Sequence, residues 1–151
     1  MKKNQFVYVT YIRTTPEKLW QALTTPEVIR KYWFGVRVEG DWKVGSKWKM
    51  YYDSSLMDSG EILESIPRKK LVRSWRNEWK PEFKAEGDSR SSYELEPIGP
   101  SVKLTITHSI ECVDSKFLGA LSEGWPMCVS NLKSLLETGD VALVEHPGHG
   151  E

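Results

Sequence analysis

The chain has 151 residues, which suits a single domain whose core needs neither disulfide nor metal support. Lysine plus arginine equals aspartate plus glutamate at 21 each, and this balance argues against a general nucleic-acid or anionic-membrane binder. Two cysteines make no disulfide framework, and no apolar run approaches the length of a membrane span, so we expect a soluble, cytoplasmic protein.

The first segment, residues 5–13, is rich in β-branched and aromatic residues and is predicted to be a strand. The tetrapeptide Thr-Thr-Pro-Glu then occurs twice, at 14–17 and at 24–27. Threonine caps free helical amides, proline fits the first helical position, and glutamate favours the positive end of the helix dipole. The two tetrapeptides therefore predict two short helices in succession.

The middle of the chain is predicted to contain six further strands separated by turns. Period-two patterning places these strands at 36–42, 47–52, 60–66, 70–76, 89–96 and 102–110. The intervening residues have turn chemistry, for example Asp58-Ser59-Gly60 and the segments 81–88 and 97–100. Short strands in succession, without intervening helices, imply an antiparallel meander.

An apolar stripe at helical spacing marks the last element. The stripe consists of Phe117, Leu121, Trp125, Cys128, Leu132 and Leu135. Asp114 or Ser115 can cap the start of this helix, and Gly139 can end it. Pro126 leaves two alternatives open, because proline removes a backbone hydrogen bond inside a helix. Either the helix kinks near Gly124, or it begins at Trp125.

The order of strand, two short helices, six strands and long helix predicts the α+β class. In this arrangement a seven-stranded antiparallel sheet buries one face under the C-terminal helix. We assign residues 1–139 to one domain and residues 140–151 to a C-terminal tail with a frayed end. The apolar tail residues Val141, Leu143 and Val144 are expected to be exposed. They could cover a second copy of the chain, so the sequence leaves open whether a homodimer forms.

Three stretches of the sequence carry a resemblance to a known superfamily. The first runs from Thr15 to Glu27 and leads into Lys31-Tyr32-Trp33, the second spans 60–75, and the third spans 104–137. In their order and spacing they resemble the SRPBCC superfamily of START domains and plant pathogenesis-related allergens. The resemblance is closer to the branch named after the activator of the heat-shock chaperone ATPase. It implies a helix-grip fold, in which the sheet curves around the C-terminal helix and leaves a cavity between them.

Alternation along the last strand turns His108 toward the interior, together with Leu104 and Ile106. Two interpretations of this histidine stay open. It is either a core residue satisfied by a hydroxyl or a water, or a polar anchor at the floor of the cavity.

The aromatic content, seven Trp, six Tyr and four Phe, favours an open pocket for a flat apolar ligand. A fully packed aromatic core is the alternative. The candidate ligand-binding residues are Trp33, Phe34, Trp48, Tyr52, Arg73, Trp75, Ser91, Tyr93, His108, Trp125, Cys128 and Leu132. The family resemblance places Trp33 and Phe34 at the entrance, and we expect Trp79 to be a lid or a surface contact.

These residues favour the binding of a small hydrophobic molecule that is aromatic, polyketide-like or lipid-like. Catalytic signatures such as Gly-x-Ser-x-Gly are absent, so no catalytic residue is assigned. A cyclase or dehydratase that uses His108 as acid or base is nevertheless an alternative. A regulator of a chaperone ATPase that acts through its surface is another alternative, and it comes from the resemblance alone.

No cofactor and no metal are expected. Cys112 and Cys128 lack the paired spacing of a zinc site, and His146 and His149 fall in a tail that we predict to be flexible.

Overall fold

The computed structural model describes residues 4–145, which form an α+β fold with a curved seven-stranded sheet. The elements are β1 (Asn4–Ile12), α1 (Pro16–Thr24), α2 (Pro26–Tyr32), β2 (Arg37–Glu39), β3 (Lys47–Tyr52), β4 (Ser55–Ile66), β5 (Lys70–Asn77), α3 (Pro81–Lys84), β6 (Ser89–Ile98), β7 (Ser101–Ile110) and α4 (Lys116–Thr138). The predicted class and helix-grip architecture are confirmed, with one added helical turn, α3. His146 and His149 lie outside the described residues.

The sheet is antiparallel throughout, in the order β1-β7-β6-β5-β4-β3-β2. Strands β2 to β7 form the predicted meander, and β1 joins its end by pairing with β7. Register shifts at Met50/Tyr51 and at Ile62/Glu64 interrupt the ladders of β4 with both of its neighbours. Such irregularities bend strands, so they help this half of the sheet to curve toward α4.

Two short helices follow β1, as the repeated tetrapeptide predicts. Pro16 and Pro26 begin them, and the Oγ1 atom of Thr15 accepts a hydrogen bond from the backbone N–H of Lys18 at 3.2 Å. Leu19 and Leu23 bury one face of α1. Helix α2 packs against both α4 and β2.

Helix α4 runs without a break from Lys116 to Thr138 and contains Pro126. The alternative in which the helix begins at Trp125 is therefore wrong. Proline costs one backbone bond, roughly 3 kcal/mol, whereas the stripe on both sides of it buries large side chains against the sheet. Ser115 caps the start through its Oγ, and Gly139 ends the helix at a φ of +90°, as the sequence predicts.

Two predicted boundaries are wrong. The strand predicted at 36–42 ends at Glu39, where the pairing with β3 ends, and Trp42 beyond it adopts a left-handed φ of +63°. The predicted turn Asp58-Ser59-Gly60 instead lies inside β4. A side-chain Cβ at Gly60 would lie 1.9 Å from the Ser74 carbonyl oxygen, so glycine is needed here for space and not for a turn.

Two smaller predictions also need correction. Strand β6 continues to Ile98, so only Gly99 and Pro100 of the predicted turn at 97–100 connect it to β7. In the tail, Val141 and Leu143 are half-buried rather than exposed, whereas Val144 is 86% exposed.

The buried side chain of Asn131 on α4 holds this part of the tail against the domain. Its Nδ2 atom donates to the carbonyl oxygen of Leu143 at 2.9 Å and to that of Tyr32 at 3.3 Å. Its Oδ1 atom accepts from the Leu143 backbone N–H at 2.6 Å. One amide therefore links α4, the end of α2 and the backbone of Leu143 in the tail.

No helix within residues 4–145 is both long enough and apolar enough to cross a membrane.

We expect Gly60→Ala to lower the free energy of unfolding by about 2 kcal/mol, because the added methyl displaces either the β5 backbone or the Trp48 indole. Gly119→Ala on α4 is the matched control, since a Cβ there meets no atom within 4 Å and alanine favours a helix by up to about 1 kcal/mol. Urea denaturation of both variants measures the difference. Equal stability of Gly60→Ala and the wild type would show that the close approach is not a constraint.

Candidate functional site

A cavity of about 460 Å³ lies between α4, the end of α2 and strands β3 to β5, a volume typical of small-molecule sites. Eight of its nineteen lining residues are aromatic: Trp33, Phe34, Tyr52, Trp75, Trp79, Phe83, Phe117 and Trp125. Four polar residues also face it, namely Asp58, Asn77, Lys80 and Glu123. The site is therefore apolar with a small number of polar groups, as is usual for sites that bind organic molecules.

Half of the twelve candidate residues named from the sequence line this cavity. They are Trp33, Phe34, Tyr52, Trp75, Trp125 and Cys128. The other half are buried in the core and do not line it: Trp48, Arg73, Ser91, Tyr93, His108 and Leu132. Trp79, expected as a lid or a surface contact, is 49% exposed and borders the cavity.

The tryptophan rings pack on one another and leave the cavity on one side of the cluster. The Trp75 ring centroid lies 4.7 Å from that of Trp48, 5.8 Å from that of Trp125 and 6.1 Å from that of Trp33. Such distances are typical of stacked and edge-to-face aromatic contacts. The packed core and the open pocket are therefore both present, and Trp75 belongs to each.

Arg73 on β5 is buried at 3% exposure, and aromatic rings surround its guanidinium. The guanidinium carbon lies 4.8 Å from the ring centroids of both Trp48 and Trp75, and 5.3 Å from that of Tyr93. Nη2 donates to the Tyr93 hydroxyl at 3.3 Å, and Arg73 forms no ion pair with any other described residue. The ring faces stabilise this charge inside the core, so it is not presented to a ligand in the cavity.

His108 is fully buried, and both of its ring nitrogens have partners. Nδ1 accepts from the Trp125 indole N–H at 3.4 Å, which assigns the proton to Nε2, 2.7 Å from the Ser89 hydroxyl oxygen. Burial, together with the smaller effect of the Arg73 charge, lowers the pKa of His108 to about 3. This geometry matches the interpretation of a neutral core histidine satisfied by a hydroxyl.

Asp58 is the functional candidate that sequence reasoning missed. It is 9% exposed, and its Oδ1 atom accepts from the Trp75 indole N–H at 2.8 Å and from Asn77 Nδ2 at 3.3 Å. Burial raises the pKa of this carboxyl to about 6, although the two hydrogen bonds and the Arg73 charge oppose the rise. Its alternation with Gly60 and the inward-facing Ile62 was the signal that could have identified it.

Asn77 connects this carboxylate to the loop before α3. While its amide nitrogen donates to Asp58, its Oδ1 atom accepts from the backbone N–H groups of Trp79 at 3.1 Å and Lys80 at 2.8 Å. The position of the loop at the cavity border therefore depends on the same two residues that form the polar end of the cavity.

Comparison with known proteins identifies relatives of this arrangement. The family model described as activator of Hsp90 ATPase homolog 1-like protein matches residues 13–137. Protein MLL2253 from Mesorhizobium loti is 26% identical with a TM-score of 0.79, over 91% of this chain and 100% of that chain. No curated protein matches the sequence.

Two further solved structures, both less than 25% identical, share the fold. The Aha1 dimer from Colwellia psychrerythraea is 24% identical with a TM-score of 0.75, over 90% of this chain and 98% of that chain. DynU16, a protein in the dynemicin biosynthetic locus, is 18% identical with a TM-score of 0.78, over 94% of this chain and 51% of that chain.

We expect His108 to remain neutral throughout the range in which an exposed histidine titrates. Because its folded pKa lies below the unfolded value of about 6.5, its contribution to stability is present above pH 6.5 and is lost as the pH falls toward 3. Proton NMR of the imidazole signals between pH 8 and pH 4 measures this, and His108→Gln identifies the signal. A midpoint between pH 5 and pH 7 for that signal would contradict the buried, neutral state.

Proposed function

The chain belongs to the family of activator of Hsp90 ATPase homologue 1-like proteins, and from this premise we propose that it binds a small hydrophobic ligand between the sheet and α4. The observation that carries the proposal is the cavity of about 460 Å³ with its aromatic wall. A concave apolar cavity of this size with a small number of polar groups is the expected form of a small-molecule site.

The ligand class that the wall favours is flat and aromatic, or polyketide-like. Indole rings of Trp33, Trp75 and Trp125 meet at the cavity. Trp33 is half-buried and offers the most accessible ring surface, because Trp75 and Trp125 are only 1% and 3% exposed, and a planar molecule can stack on it. The occurrence of DynU16 in a biosynthetic locus supports a biosynthetic small molecule as the kind of ligand that this fold accommodates.

The residues proposed to contact the ligand are the six sequence candidates on the cavity wall. The Cys128 thiol is one of them, and burial raises its pKa to about 12, so it contributes an apolar surface and no thiolate. The remaining six candidates act indirectly, because they hold the aromatic cluster and the sheet beneath it. We favour a binding function over an enzyme in which His108 is the acid or base. His108 does not line the cavity, and its lowered pKa keeps it neutral.

Gly124→Leu tests the proposal by placing a side chain in the cavity. Gly124 lines the cavity, and a Cβ added there meets no atom within 4 Å, so the side chain of leucine starts in open space. We expect this variant to remain folded, to gain up to about 1 kcal/mol from helix propensity and to lose saturable binding. Titration with flavonoids, aromatic polyketides and fatty acids, followed by tryptophan fluorescence, measures the binding.

Gly119→Leu is the matched control for this experiment. Gly119 lies on the same helix with equally open space around it, but it does not border the cavity. It should gain similar stability and bind each ligand as the wild type does. The absence of saturable binding to the wild type across the whole panel, or unchanged binding to Gly124→Leu, would refute the proposed site.

Regulation of a chaperone ATPase through the protein surface is the second candidate function. The description of the matching family favours it, together with the fold shared with the Colwellia Aha1 protein. If it is correct, addition of the chain accelerates ATP hydrolysis by Hsp90, and Gly124→Leu accelerates it equally, because the cavity takes no part. A steady-state ATPase assay with both proteins decides between a surface function and a cavity function.

We also propose that the protein is cytoplasmic. We propose that two copies of it pair, because the Colwellia relative is a dimer.

A further inference from the structure

We propose that Asp58 is the group by which the cavity recognises its ligand, and that this ligand presents a hydrogen-bond donor, an amine N–H or a phenolic O–H, to it. The inference rests on the proposed function, since it assigns the polar end of the same cavity. It narrows the ligand class, because molecules whose only polar group is a carboxylate are excluded.

The geometry of Asp58 leaves one oxygen for a ligand. Both donors that hold this side chain within residues 4–145, Trp75 Nε1 and Asn77 Nδ2, bind the same atom, Oδ1. The other atom, Oδ2, belongs to a residue that lines the cavity. The two donors come from β5, the strand paired with β4, so the carboxylate is held in a fixed orientation before any ligand arrives.

The charges around Asp58 do not neutralise it by direct contact. Among the described residues it forms no ion pair, although the Arg73 charge lowers its pKa and the Glu78 charge raises it. Glu78 is itself bound to the Ser59 hydroxyl at 2.5 Å and to Lys84 at 3.0 Å. A buried carboxylate with few partners is costly, and a donor on the ligand offsets that cost.

The remaining charged groups at the cavity are Lys80 and Glu123. The Lys80 ammonium lies 5.3 Å from the ring centroid of Phe83, and Glu123 is exposed on α4. Neither is buried as Asp58 is, so water screens their charges more strongly. An ionised Asp58 accepts hydrogen bonds but donates none, and it repels an anionic ligand. The tryptophan faces beside it additionally favour a cation.

Four probes that share one naphthalene ring test this preference: methylnaphthalene, naphthol, naphthylmethylamine and naphthoate. At pH 7.5 we expect the amine and the naphthol to bind about tenfold more tightly than methylnaphthalene, which corresponds to one hydrogen bond to a charged group. We expect naphthoate to bind more weakly than methylnaphthalene. Calorimetry gives the affinities, and the indole N–H resonance of Trp75 reports contact at Asp58.

Asp58→Asn removes the charge and keeps an oxygen that accepts from Trp75 and Asn77. It should remove the advantage of the amine over methylnaphthalene and improve the relative affinity for naphthoate. Glu61→Gln, which removes an exposed carboxylate that lies on the same strand as Asp58 and does not line the cavity, should change neither. In the wild type, lowering the pH from 7.5 to 5 should weaken binding of the amine and leave methylnaphthalene unchanged, which is a test that needs no variant.

The outcomes separate the two proposals. If none of the four probes binds the wild type, the ligand-binding function fails and this inference fails with it. If methylnaphthalene binds but the amine and the naphthol have no advantage, or if naphthoate binds as well as they do, the cavity function stands and the role of Asp58 is overturned. Unchanged preferences in Asp58→Asn overturn it as well.

Discussion

The mutual dependence of Trp75 and Asp58 determines where the core ends and the cavity begins. A buried indole N–H needs an acceptor, and a buried carboxylate needs donors, so the hydrogen bond between them satisfies both groups at once. Adjacent strands supply the two residues, and the Trp75 ring then packs against Trp48 on one side and Trp33 on the other. Moving either partner would leave a polar atom unsatisfied and would open the aromatic layer.

Most of the fold could be predicted from local patterns, because alternation and helix-capping residues have direct physical causes. Period-two alternation in β7 fixes the inward direction of His108, and capping residues fix the ends of α1 and α4. Errors arose where a tertiary contact determined the residue. Gly60 is typical of a turn by local chemistry, but the approach of Trp48 and the β5 backbone requires it inside a strand.

The candidate site could be predicted only in part, because alternation gives the face on which a side chain lies and not its depth. Arg73 and His108 point inward as expected, yet neither lines the cavity. The Ser89 hydroxyl partners His108, and aromatic rings surround the Arg73 guanidinium, whose Nε has no hydrogen-bond partner among the described residues. Asp58 was missed for the converse reason: the turn-like tripeptide Asp58-Ser59-Gly60 hid its alternation with the inward-facing Ile62. Its partners Trp75 and Asn77 are about twenty residues away in sequence and meet it only through strand pairing.

The proximity of the tryptophan rings has a spectroscopic consequence. Trp33, Trp75 and Trp125 have centroids within 6.1 Å of one another and are held at fixed mutual angles. Chromophores this close share their excited states, so their near-ultraviolet circular dichroism and their emission belong to the group and not to single residues. A guest stacked on any one ring would perturb the optical signal of all three.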